Sequence, residues 1–359
     1  MDESKLRIST PNDLVAAVPY LLGFTPTDSL VVIGLRQRRA VFQVRLDLPD
    51  EAECRAMADY IGAVVARQGV SGALIVGYGG ETAVRPAIDA VAATLDDRSI
   101  VVQEKLRVDD GRYWSYVCGN PECCAPDGTP IDDIGSSRVA AEATYFGLTT
   151  SASRDAIVTR LAPVSGDEAV EVTAAAAGAE GRFARMMAAE QGADGAAVAV
   201  VAGMLAVDEA LARVAGGGLL SADEVAWLAL LLVNISVRDY VWDQVGLDLG
   251  THVALWSDVL RRCDPTLAAA PGTLLAFAAW RNGEGAVSSI ALERALDADP
   301  NYSMARLLLH AIEGGMSPRE YERLMAELER SPSGRSRRRA SNGRHSSRRR
   351  RQTTRSGRV

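Results

Sequence analysis

Lysine is almost missing from this sequence. It stands only at Lys5 and Lys105, and every other member of the 39 basic residues is arginine. Together with the abundance of alanine, this bias fits a GC-rich bacterial genome, so arginine in place of lysine reflects composition before chemistry. Histidine is scarce too: His252, His310 and His345 are the whole supply. Two fall in helical context and one in the C-terminal segment, which argues against a Ser-His-Asp triad. There are five cysteines, an odd number, and MDESKLRIST lacks a basic start followed by an apolar run. Both features argue against a secreted disulfide scaffold. Long apolar runs are missing as well: 196–207 and 225–233 fall short of the roughly 20 residues that span a bilayer. A soluble, cytoplasmic chain with no transmembrane segment is expected. The sequence contains no Gly-x4-Gly-Lys, His-Glu-x-x-His, Gly-x-Ser-x-Gly or EF-hand pattern.

What is there suits two folded domains and a tail. The 359 residues are 48% hydrophobic and 24% charged, enough for sizeable cores. The charge is uneven. Residues 331–359 hold eleven arginines and no acid, among them Arg337, Arg338, Arg339, Arg348, Arg349, Arg350 and Arg351. The preceding 330 residues therefore carry 28 basic against 46 acidic residues, a net charge near −18. The tail has almost no hydrophobic residue and is expected to be disordered.

Periodicity predicts an α/β domain over residues 1–135. Thr10-Pro11-Asn12-Asp13 reads as a helix start, with the helix running over 12–22 and ending at Gly23. Strands are expected at 29–34 and 40–48, the second with Val41, Gln43, Arg45 and Asp47 on one face. A helix follows from Pro49-Asp50 to about residue 68, with Glu53 at the capping-box position. A strand at 73–76, a helix at 81–96 and a hairpin of 100–108 and 112–117 around Asp109-Asp110-Gly111 complete a mixed sheet. From about Ser136 strand signals stop, and residues 136–330 read as a domain of helical hairpins. Ser165, Ser221 and Ser317 each precede an acid three residues on, as in capping boxes. Breaks are expected at Gly216, Pro271-Gly272, Gly283, Asp299-Pro300 and Gly314. The segment from Leu275 to Pro300 echoes one tetratricopeptide unit, although one copy does not make an array.

Several motifs together resemble the domain of unknown function 4192 family of actinobacterial proteins. At the N-terminus these are Leu6-Arg7-Ile8-Ser9-Thr10-Pro11-Asn12-Asp13, Val18-Pro19-Tyr20, Pro26-Thr27-Asp28-Ser29 and Arg45-Leu46-Asp47-Leu48-Pro49. Further on come Cys118 with Cys123-Cys124, then Trp280-Arg281-Asn282-Gly283, then Asp299-Pro300-Asn301-Tyr302 with Arg306. Ala125 stands where the family pattern has proline. The resemblance spans roughly residues 5–328 and implies no activity, because the family has none assigned.

The site candidates therefore rest on residue chemistry. Cys118-x4-Cys123 has a spacing that zinc loops use, but zinc takes four ligands, and the adjacent Cys123 and Cys124 point different ways. A Cys118–Cys123 redox pair and simple packing around the turn residues Asn120-Pro121 and Pro126 are the other readings. Asp28 and Ser29 precede a strand and read as a phosphate or cation contact or as a turn that starts the strand. Arg45 and Asp47 form a polar pocket or a modest ion pair. Gly77-Tyr78-Gly79-Gly80 sits between strand and helix, where phosphates bind, but lacks the full Gly-x-Gly-x-x-Gly. The tryptophans, Trp114 included, read as packing residues. No cofactor is predicted, with zinc at the cysteines the one exception considered. The reading overall is a binding or adaptor protein with an unidentified protein partner. The alternatives are an enzyme with its site between the two domains, built from Asp28, Arg45, Asp47 and the Gly77–Gly80 turn with Cys118 or Cys123 as further candidates, and a protein that holds nucleic acid or another polyanion through its tail.

Overall fold

The structure is a computed structural model and describes residues 6–120, 124–189, 194–246 and 248–330. Residues up to Gly315 form one compact unit, and the chain from Met316 a second. The basic segment 331–359, including its expected disorder, lies outside the described residues.

Helix α1 (Pro11–Leu22) begins at a reciprocal capping box between Thr10 and Asp13 and ends at Gly23, whose φ of 82° is left-handed. Strands β1 (Ser29–Arg36) and β2 (Arg39–Asp47) follow. A 3-10 turn, Glu51–Glu53, precedes α2 (Cys54–Arg67). The capping box expected at Glu53 does not form. Its N–H already donates to the carbonyl of Asp50 at 2.9 Å, so the donor that a cap would satisfy is taken. Next come β3 (Gly72–Tyr78), α3 (Glu81–Asp96), β4 (Val101–Asp109), β5 (Arg112–Ser115) and β6 (Thr129–Pro130). The last is a two-residue strand that no local alternation announces.

The six strands form one mixed sheet in the order β2-β1-β3-β4-β5-β6. Only β3 and β4 pair in parallel, joined by α3. Strand β1 is interior and buried on both faces, which explains its unbroken Leu30-Val31-Val32-Ile33 run. One face of the sheet, with Leu30, Val32, Ala73 and Ile75, packs on Ile61 and Val65 of α2 and on Val84, Ile88 and Val91 of α3. On the opposite side α1 lies against the strands, and Ala16 and Ala17 meet Val139 of α4 (Arg138–Tyr145).

The remainder is helical: α5 (Arg154–Leu161), α6 (Asp167–Ala189), α7 (Asp194–Ala215), α8 (Ala222–Leu231), α9 (Ile235–Gln244), α10 (Leu249–Arg262), α11 (Ala269–Arg281), α12 (Gly285–Ala298), α13 (Ser303–Glu313) and α14 (Pro318–Arg330). Ser221 makes the expected box with Glu224. Ser165 does not cap α6, because Gly166 at φ 63° intervenes and its carbonyl accepts the first helical bonds. The break expected at Pro271-Gly272 lies inside α11 instead. Proline in a first turn gives up an N–H that has no helical partner there. Helix α11 is the hub, buried at every position from Ala269 to Trp280, and packs against α9, α10, α12 and α13.

Candidate functional site

Cross-strand partners share a face of a sheet, so the register locates the candidates. Ser29 stands opposite Asp47 on one side and Tyr78 on the other, and Val31 stands opposite Arg45. Asp28, Ser29, Arg45, Asp47, Gly77 and Gly79 therefore gather at one end of the sheet, where β1 starts and β2 and β3 finish. In open α/β sheets this is the end, beyond the carboxyl termini of the parallel strands, that holds ligands.

The groups there are largely engaged with one another. The Arg45 guanidinium meets Asp47 at 2.6 Å, lies 5.9 Å from the Phe24 ring centre and donates to the carbonyl of Thr27 at 3.4 Å. Asp28 adopts φ 42°, an uncommon conformation for a residue with a side chain, while its carbonyl accepts from the N–H of Leu48. Gly79 has φ 132°, and a Cβ added there would lie 3.5 Å from Oδ1 of Asp28. A carboxylate so close to the turn works against an anion at that point. Gly77 serves packing: a Cβ would come within 2.3 Å of Val84 on α3. The Ser29 hydroxyl, the Tyr78 hydroxyl and Nε of Arg45 are buried with no hydrogen-bond partner among the described residues. Burial pushes the Tyr78 phenol pKa far up, so it stays protonated. The sequence reading missed Tyr78, although its place between two glycines at a strand end is a usable signal.

The cysteine loop does not join this group. Strand β5 runs antiparallel to β4 and carries the chain away from that end, so Tyr116 is already level with Lys105. Ser115 Oγ donates to Glu104 at 2.7 Å and accepts from the N–H groups of Val117 and Cys118. Trp114 holds the loop's far side, its indole N–H donating to the carbonyl of Pro126 at 3.0 Å, while Arg112 donates to the carbonyl of Gly128. The other ring contact of Trp114 is the Arg107 guanidinium, 3.5 Å from its centre. Cys118 and Cys124 are partly exposed, and Cys123 lies outside the described residues. Cys54 and Cys263 are buried elsewhere. Among the described residues no three His, Cys, Asp or Glu side chains gather at metal-binding spacing.

The helical layer has one further feature. The stretch Gly195–Ala215 of α7 is long and apolar enough to cross a membrane by length and composition, with 28% of its most apolar window buried. It packs on α6, α8, α9 and α10; Ala202 and Ala206 lie against the α6–α8 cluster, and Gly203 is forced by Val237 of α9, which would sit 2.4 Å from a Cβ. Ala197 and Leu205 are exposed and Val201 is half-buried between them, a stripe repeating every four residues.

A model of the family described as Domain of unknown function (DUF4192) matches residues 11–319. The chain belongs to this family. Comparison with curated proteins and with solved structures gives no match. The DUF4192 match takes in α1 to α13 and stops just inside α14, which leaves the basic tail outside it. The C-terminal motif noted in the sequence falls on helix ends. Asn282 donates to Glu284 in the α11–α12 turn, Asp299 accepts from the N–H of Asn301, and Tyr302 is the N-cap residue of α13. In DUF4192 terms Asn282 and Asp299 are accounted for by the turns they make, while Arg281 reaches the carbonyl of Val245 and the Tyr302 hydroxyl accepts from Arg238.

Proposed function

We propose that this DUF4192 protein is a cytoplasmic, non-enzymatic binding or adaptor protein that docks a partner protein on the outer face of α7. The observation that carries the reading is the Ala197, Val201 and Leu205 stripe. It lies in a helix with no charged residue from Gly195 to Val207, and it faces outward although the same helix has a well-packed inner face. Contiguous exposed apolar surface on a soluble chain marks interaction sites. The α11–α12 hairpin, with its tetratricopeptide-like pattern, belongs to the same reading as part of the helical scaffold beneath. The arginine-rich tail adds electrostatic grip on acidic partners or nucleic acid.

The test is a photo-crosslinking residue at position 205 of the full chain, with position 55 on exposed α2 as the control. The expected result is a discrete adduct with a partner protein at 205, none at 55, and loss of the adduct in Ala197→Glu. An adduct with a second copy, an adduct with lipid, or none above the control overturns the reading.

One observation favours an enzyme instead. The left-handed backbone of Asp28, at φ 42°, adjoins two buried hydroxyls at the ligand-bearing end of the sheet. Strain of this kind clusters at active sites. An enzyme site there predicts that Ser29→Ala and Tyr78→Phe keep the fold and lose turnover of whatever substrate a metabolite screen reveals.

A further inference from the structure

A cavity of about 330 Å3 opens in the helical layer, in the range of small-ligand pockets. Three elements meet around it: the end of α5, the middle of α10 and the start of α12. Leu161 and Val287 give it apolar walls. Ser257 and Arg261 stand four residues apart on α10, so they share one helix face, and both line the cavity. Arg160 completes the polar side from α5.

Two arginines and two carboxylates line this space, and both carboxylates have hydrogen-bond partners of their own. Asp258 lies on the wall, but its carboxylate is held by Arg262 at 2.9 Å. Glu284 is also on the wall, and its Oε1 accepts from the Asn282 amide at 2.5 Å. Against these, neither Arg160 nor Arg261 makes a hydrogen bond or ion pair through its side chain among the described residues, and Nε of Arg261 is buried without a partner. A buried guanidinium N–H left open is costly, and ordinary folds fill it. The start of α12 adds further donors. Its N-cap, Glu284, makes no side-chain cap, so first-turn N–H groups of a 14-residue helix are open at Val287. Two unpaired guanidiniums and a helix N-terminus thus face one apolar-walled space, in a chain whose first 330 residues are strongly acidic.

We propose that this cavity binds a small organic carboxylate. The carboxylate takes the Arg261 and Arg160 guanidiniums and the open α12 amides, and the apolar body lies against Leu161 and Val287. Arginine suits this role because its planar fork matches a carboxylate bidentately. The site is independent of the α7 face, so either can fail alone.

The experiment is calorimetric titration of the full chain with benzoate, benzamide and inorganic phosphate. Benzoate is expected to bind saturably. Benzamide, which keeps the ring and loses the charge, is expected to bind at least tenfold more weakly. Arg261→Met and the exposed Arg160→Met are each expected to weaken benzoate about tenfold, the usual scale for a charge-assisted contact. Arg160→Met covers the case in which Arg261→Met fails to fold. No saturation with benzoate up to about 10 mM, equal binding of benzamide, or benzoate binding unchanged in the variants overturns the proposal. Phosphate binding as tightly as benzoate, with the same dependence on Arg261, overturns the carboxylate class and leaves a bare-anion site.

Discussion

His252 is buried in the interior. Its Nδ1 accepts the indole N–H of Trp256 at 3.2 Å, and the ring is also hydrogen-bonded to the backbone of Gln244. Burial is the largest influence and holds its pKa below the ordinary 6.5, against the opposing pull of Asp248. A depressed histidine pKa means the unfolded chain binds the proton more readily. The stability it confers is complete above 6.5 and drains away as pH falls through the lower folded value. The urea midpoint is therefore expected to fall on acidification from neutral to pH 5. His252→Gln, which keeps an acceptor for Trp256, should flatten that fall. Cysteine chemistry is separable at the same scale. Burial pushes the Cys263 thiol up to about 12 and raises Cys54 as well, with Glu51 adding to the latter. Neither should react with iodoacetamide at neutral pH until the chain is denatured, which mass spectrometry of the alkylated peptides checks.

Between elements, close approach and helix-end chemistry decide stability. A Cβ at Gly272 would meet the Ala291 carbonyl at 2.9 Å and Cβ of Ala295 at 3.0 Å, where α11 crosses α12. Gly272→Val is expected to cost roughly 1–3 kcal/mol by overpacking, read from denaturant midpoints. Arg294 of α12 donates to two helix ends at once, the carbonyls of Leu161 on α5 and Leu260 on α10. A cation there satisfies orphan carbonyls and opposes the negative end of each helix dipole. Arg294→Met should cost about 1–3 kcal/mol on the same measurement. Elements of this kind were legible where the signal is local. The Thr10 box, the Asp110-Gly111 turn and the Ser221 box all come from a few adjacent residues, and the structure has each of them. What stayed hidden needs distant chain. Strand β6 exists only because β5 offers an edge, and Pro271 looked like a break because its tolerance depends on which turn it occupies. The enzyme reading of the sequence already groups Asp28 with the Gly77–Gly80 turn, but what brings Asp28 and Gly79 together is register and not spacing.

At the scale of the whole molecule, charge is the simplest lever. Cutting residues 331–359 takes the net charge from −7 to near −18. Under the proposed role of the tail, the full chain is retained on a phosphate polyanion column and released steeply as salt rises. The truncated chain should flow through. Retention of the truncated chain at moderate salt would place the affinity elsewhere. The other whole-molecule feature is the contact between α2 and the end of α13. Tyr60 donates to the carbonyl of Glu313, 253 positions along the chain, and Gln68 donates to that of Gly315. Synthesis runs from the N-terminus, and five of the six strands are complete by Ser115. The sheet can thus assemble before most helices have been made, yet its α2 side stays unlatched until residue 315 emerges. Stalled chains released just short of that point should be cut by protease within α2, and chains a few tens of residues longer should resist. Protease resistance of α2 is thus expected to report the arrival of the final turn of the compact unit.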